Sequence, residues 1–206
     1  MLKNVLYIIA SIIIFFIGLI AYGLILNSGE VSLEEAMKEL NLTKIENPKI
    51  IIDRSSYRLQ LYSGNILVKS YKTVFGKNPS KIKTSADDLV TPIGEYRICS
   101  IDNNHKYHKF LQINYPNERD AAEALKRGYI TQQEFEIIVN SKNECPVSNT
   151  KLGANIGIHG IGEYDIIFRN LPFIFNWTNG SVAISNKSID ELSSVVKIGT
   201  YVKITY

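Results

Sequence analysis

Histidine and cysteine are scarce here, three and two in 206 residues, and the scarcity excludes several kinds of chemistry. His105 and His108 form an HxxH, but no third ligand stands near them in sequence, so no metal site is expected. No cofactor is expected either. Positive charge is also limited: the net charge is +3, and no lysine or arginine run is interleaved with aromatics, which argues against nucleic acid as a partner. The chain has no internal repeat, no low-complexity tract and no break in composition that would divide it into two halves. With 45% hydrophobic residues, it is long enough for one well-cored domain plus an appendage.

The appendage is the N-terminus. Val5 to Leu26 is an unbroken apolar and small-residue run, about 22 residues long, which as a helix reaches about 33 Å and spans a hydrocarbon core of about 30 Å. Only Lys3 precedes it, whereas Glu30, Glu34 and Glu35 follow. That bias predicts a cytoplasmic N-terminus and an external domain. A cleaved signal peptide is the rival reading, but its apolar core is usually about 7 to 15 residues and is followed by an A-x-A-like site, which is missing here. If the domain is external, Cys99 and Cys145 lie in an oxidising compartment. They then form one disulfide or remain two separate thiols, of which one is buried.

Beyond the span, Ser32 with Glu35 makes a capping box for a short helix ending near Leu40, read as a juxtamembrane spacer. Lys49 to Asp53 is apolar, and Tyr57, Leu59 and Leu61 then alternate with Arg58, Gln60 and Tyr62, the pattern of a half-buried strand. A turn at Ser63-Gly64-Asn65 and an answering strand over Ile66 to Phe75 complete a hairpin. A polar loop is expected over Asn78 to Asp88. Further strands are expected over Tyr96 to Ser100 and Phe110 to Tyr115. Asn117 is expected to cap a helix through Arg127, and Thr131-Gln-Gln-Glu134 to open a second helix through Val139, so a helical hairpin is inserted into a β domain. Asn143 to Asn155 reads as a loop, Ile156 to His159 as a strand, Ser188 as the cap of the last helix, and Tyr201 to Tyr206 as a closing strand. Many short strands with few helices predict a mainly β, antiparallel fold.

The chemistry concentrates late in the chain. His159 ends an apolar strand between Gly157 and Gly160, and Ser181 follows Gly180 in the turn Asn176-Trp-Thr-Asn-Gly-Ser181. Acyl transfer needs a nucleophile, a base, a group that orients the base and N–H donors for the oxyanion. Ser181, His159, the carbonyl of Gly160 and the amides from Asn179 to Ser181 are of the right kinds. From spacing alone a hydrogen-bonded histidine at a strand end and an ordinary turn are the favoured reading, so these residues alone do not identify an enzyme.

Four ordered stretches sharpen the reading: Thr91-Pro-Ile-Gly-Glu-Tyr96, Ile113-Asn-Tyr-Pro-Asn-Glu118, Leu152-Gly-Ala-Asn-Ile-Gly-Ile-His-Gly160 and Trp177-Thr-Asn-Gly-Ser-Val-Ala-Ile-Ser-Asn186. With them the chain from about Ile50 onward resembles the L,D-transpeptidase (YkuD-type) catalytic domain, in its YafK-like branch. The resemblance implies an antiparallel β domain over 49–206, and the apolar run and short helix before it are read as an anchor at 1–28 and a spacer at 29–48. It also implies action on peptidoglycan stem peptides at the external face of the bacterial cytoplasmic membrane, in cell-wall organisation and cell shape. His159 corresponds to the family's histidine, and Ser181 to its nucleophilic cysteine. Asn179 stands where many members have a second histidine, and Ala183 where they have an arginine. Gly160, Asn179 and Gly180 are implied as supporting or oxyanion groups, and Trp177, Tyr96 and His108 as residues lining the groove. Serine in the nucleophile position leaves two expectations, acyl transfer through a hydroxyl or a catalytically inactive member that binds wall peptides.

Overall fold

The computed structural model describes residues 2–27, 29–80, 82–141, 145–146, 149–171 and 174–206. An apolar helix, α1 (Leu2–Asn27), precedes α2 (Leu33–Glu39). The strands β1 (Pro48–Asp53), β2 (Arg58–Ser63) and β3 (Ile66–Lys72) follow. Then come β4 (Gly94–His105), β5 (His108–Ile113), α3 (Glu118–Lys126) and α4 (Gln132–Asn140). The remainder is β6 (Gly157–His159), α5 (Asp165–Phe168), β7 (Val182–Ala183), α6 (Asn186–Val195) and β8 (Tyr201–Thr205).

All eight strands join one sheet in the order β3-β2-β1-β8-β4-β5-β6-β7. Period-two patterning fills its buried face: Leu59 and Leu61, Ile50 and Ile52, and Val202 and Ile204 stand side by side in register, and Ile189 and Leu192 of α6 join their cluster. The sheet is mixed, which corrects the antiparallel expectation. β1 with β8 and β6 with β7 are parallel pairs, and the other pairings are antiparallel. The reason is connectivity: parallel neighbours need a crossover of about a dozen residues or more, and the chain makes one through α5 between β6 and β7.

Local capping chemistry forms where expected. Asn117 accepts the N–H groups of Arg119 and Asp120, and Thr131 accepts that of Glu134. The helical hairpin closes a small second core of Ala121, Ala124, Ile130, Ile138 and Leu152. A Cys99–Cys145 disulfide ties β4 to the segment after α4. Part of the loop expected over 143–155 lies outside the described residues. The expected spacer is a packed element, because Leu33 of α2 enters the main core and Met37 packs against it. The last helix begins three residues earlier than expected. Its cap is Ser185, whose hydroxyl accepts the Ser188 N–H at 3.1 Å, while Ser188 sits buried in the first turn. Among the described helices α1 is long and apolar enough, by length and composition, to cross a membrane, with mean hydropathy 2.8 over its best window.

Candidate active site

β6 and β7 bring the two candidate groups together. The parallel register sets Ile158 beside Val182 and His159 beside Ala183. Alternate residues share a face, so Ser181, one residue before β7, falls on the face that carries His159. The Gly157 N–H donates to Ser181 Oγ at 3.2 Å. Only glycine fits at position 157, because a Cβ would overlap the Leu111 carbonyl oxygen and lie 2.7 Å from the Phe110 ring.

His159 is 3% exposed and is caged by aromatics. Its ring stacks on Tyr107 at 4.7 Å and 22° and meets the edge of Trp177 at 5.6 Å, with Phe110 at 6.2 Å. Nδ1 lies 2.6 Å from the Gly160 carbonyl oxygen. A carbonyl only accepts, so Nδ1 carries the proton and Nε2 is left as the lone-pair nitrogen. Burial pulls the pKa of His159 down to about 4 against the opposing pull of the Gly160 carbonyl, with the nearby His105 and Lys106 lowering it further. The imidazole is therefore a neutral base at physiological pH. Among the described residues no hydrogen bond joins it to Ser181, although the pair shares a face.

The turn before Ser181 is fixed by side chains that sequence patterning does not reveal. The Thr178 hydroxyl donates to the Ser181 carbonyl at 2.6 Å and accepts the Gly180 N–H at 3.2 Å. The Gly180 amide, an expected oxyanion donor, is thus engaged inside the turn, and the amides of Asn179 and Ser181 are the further candidate donors. Gly180 is required for its backbone, since its φ is 120° and a Cβ would lie 2.9 Å from the Val90 carbonyl oxygen. Asn176 accepts the Phe75 N–H at 2.9 Å, and the Thr178 N–H donates to the Phe75 carbonyl, so the turn is stapled to the chain leaving β3. From beneath, Thr91 accepts the Gly76 N–H at 2.9 Å while its own carbonyl accepts from the buried Arg54 guanidinium at 2.9 Å. On the histidine side, Asn186 Oδ1 accepts the N–H groups of Ile161 and Gly162, and Asp165 accepts the N–H of Asn186. That network sets the path of the chain as it leaves Gly160.

The other expected lining residues divide. Trp177 is in place against the imidazole. Tyr96 is not in a groove: it is 2% exposed, edge-on to Tyr115 at 6.0 Å, with its hydroxyl donating to Asp120 at 3.1 Å. It follows the inward alternation of β4 with Ile98, so its motif position is a core position. His108 turns to the α6 side, where its Nε2 lies 2.9 Å from Asp190. Tyr107, which forms one face of the cage, was missed because it lies in the β4–β5 turn and reaches His159 through the register that pairs Phe110 with His159. A cavity of about 660 Å³ adjoins the site without reaching His159 or Ser181; Trp177 and Ala183 form part of its wall.

A family model of the YkuD L,D-transpeptidase catalytic domain matches residues 47–204, and the chain belongs to that family. Solved structures of similar fold include an L,D-transpeptidase from Xylanimonas cellulosilytica (15% identity, TM-score 0.45, covering 79% of this chain and 62% of that one). Bd1075 from Bdellovibrio bacteriovorus gives 19% identity and a TM-score of 0.49, with 78% and 48% covered. The helical cell shape determining protein Pgp2 from Campylobacter jejuni gives 15% and 0.46, with 84% and 55% covered. The chain thus spans between about half and three fifths of those proteins' lengths. A search of curated proteins finds no match.

Proposed function

We propose that this protein transfers acyl groups between peptidoglycan stem peptides, with Ser181 as nucleophile and His159 as base. The observation that carries the reading is the Nδ1 contact to Gly160, which leaves Nε2 unprotonated on the sheet face shared with the Ser181 hydroxyl. In the first step Oγ attacks a stem-peptide carbonyl while its proton passes to Nε2. The C–N bond to the terminal D-residue then breaks, its amine takes that proton, and an ester to Ser181 remains. An acceptor amine attacks the ester, gives a proton to Nε2, and the new amide leaves as the serine hydroxyl is restored. The Asn179 and Ser181 amides face the oxyanion in both steps. α1 is the anchor, and the charge bias of Lys3 against Glu30, Glu34 and Glu35 puts the catalytic domain outside the cytoplasmic membrane.

A second reading, a wall-peptide binder without turnover, is favoured by one observation: Ser181 Oγ is bonded to the Gly157 amide and not to the imidazole. A hydroxyl must lose its proton during attack, whereas a thiol of pKa about 8.5 gives up its proton far more readily. A stem-peptide assay separates the two. Turnover by the wild-type chain that disappears in His159→Ala supports the enzyme. Binding without turnover, with activity gained in Ser181→Cys, supports the binder. If neither chain turns over or binds stem peptide, both readings fail.

A further inference from the structure

The end of α1 does not hang free of the domain. Gly23 lies against the Asn170 backbone so closely that a Cβ would overlap its carbonyl oxygen. Asn27 Nδ2 donates to the Arg169 carbonyl at 3.1 Å and to Asn170 Oδ1 at 2.9 Å, and Lys72 Nζ donates to Asn27 Oδ1 at 2.9 Å. Gly23 stands within the apolar run, about 6 Å or one helical turn before Asn27. Arg169 and Asn170 are therefore level with the last turn of the span, and the chain around α5 is brought to the boundary between hydrocarbon and headgroups.

The composition there suits that depth. Tyr164, Ile166, Ile167, Ile174 and Phe175 are all exposed, between 45% and 61%, on a stretch that begins two residues after Gly162. Phe168 sits between the Tyr164 and Trp177 rings, at 6.5 Å and 6.1 Å. Elsewhere on the domain exposed apolar residues are single, as at Ile82, Ile93 and Ile198, or a pair, as at Ile66 and Leu67, which is ordinary for a soluble surface. The cavity between α1 and this stretch is bordered by Arg58, Lys72, Arg169 and Lys187 against Glu30, and Arg169 also pairs with Asp165 at 3.5 Å. Apolar side chains beside a cationic rim match a bilayer surface that presents acyl chains below phosphates.

We propose that this face is a second membrane contact, seating the domain on the outer surface of an anionic phospholipid bilayer. The inference rests on reading α1 as the anchor. Tyr164, Ile166, Ile167, Ile174 and Phe175 enter the interface, and the four cations face lipid phosphates. Because Trp177 borders this cavity and also packs on His159, seating the face fixes the height of the acyl-transfer site close above the membrane.

The chain's one tryptophan reports on this directly. The full-length chain is reconstituted in phosphatidylcholine/phosphatidylglycerol vesicles carrying a nitroxide on the upper acyl chain, and Trp177 emission is compared with that in unlabelled vesicles. The expected result is loss of emission in the wild type and recovery in the triple variant Ile166→Ser, Ile167→Ser, Phe175→Ser, with unchanged far-UV circular dichroism. Pure phosphatidylcholine vesicles are expected to weaken the wild-type loss. A wild-type chain that floats with the vesicles yet is unquenched overturns the seating, as does equal quenching of wild type and variant. A chain that does not float with the vesicles overturns the anchor and the seating together. Peptide turnover enters none of these readings, so the proposed chemistry stands or fails separately.

Discussion

The imidazole of His159 closes β6 and the hydroxyl of Ser181 stands just before the adjoining β7, yet they are held very differently. His159 is buried among three aromatic rings, with one nitrogen fixed at 2.6 Å by the next residue's carbonyl. Ser181 is partly exposed and its hydroxyl is held by one amide at 3.2 Å. The imidazole is positioned by packing, which resists change, and the hydroxyl by a turn held by Thr178, Asn176 and Gly180. The difference teaches that the surroundings of the imidazole depend on Tyr107, Trp177 and Gly160 and not on the atom at position 181.

The sharpest way to break that comparison is His159→Ala, which is expected to lower kcat/KM for a stem peptide by about 10²–10⁴-fold, the usual contribution of a positioned base. Binding of the same peptide, measured by calorimetry, is expected to stay near the wild-type value. Stability against pH tests the cage itself. The folded pKa of His159, about 4, lies below its ordinary value of 6.5, so the folded state binds fewer protons than the unfolded chain. The resulting stability is fully present above about pH 6.5 and is lost as pH falls toward 4, by roughly 3 kcal/mol in total. As pH falls across that range His159 pulls the denaturant midpoint down, a pull that His159→Gln should remove. Asp120 works in the opposite sense: burial raises its pKa to about 6, so stability declines as pH rises from about 4 through 6, and Asp120→Asn isolates the histidine's share.

Ser181→Cys probes the other member of the pair. With the cage unchanged, the thiol is expected to raise turnover about 10²-fold, equivalent to roughly 2.7 kcal/mol, in single-turnover kinetics. Tyr107→Ala is expected to have the smallest effect on rate but a distinctive signature. Opening one face of the cage lessens the desolvation of His159, so the acid limb of the pH–rate profile should move up from about 4 toward 6.5. An acid limb that does not move would show that Tyr107 contributes only packing.

Much of this was legible because it is local. The capping boxes at Ser32 and Thr131, the Asn117 cap and the Leu59/Leu61 alternation are chemistry among neighbours. The Trp177 to Asn186 stretch carried the site for the same reason. Strand direction was not legible: alternation at Ile158 or Val202 is identical in parallel and antiparallel pairs, so the mixed sheet follows from crossovers that only the fold reveals. α5, at four residues, is too short to show a helical period. Ser185 and Ser188 are three apart and both suit a cap, and the choice between them is made by Asp165 holding the Asn186 N–H at 2.8 Å. Tyr107 depends on a register set 52 residues from its partner in the chain, roughly the kind of contact no local pattern encodes.

The central claim is that Ser181 accepts an acyl group under the action of His159. Mass spectrometry of the full-length chain after brief exposure to a stem-peptide donor tests it most directly. The account predicts an acyl adduct on Ser181 that adds the mass of the donor less one free terminal D-amino acid, absent in His159→Ala and released when an acceptor amine is added. An unmodified Ser181 in a chain that binds the donor, with an adduct seen only in Ser181→Cys, would contradict it.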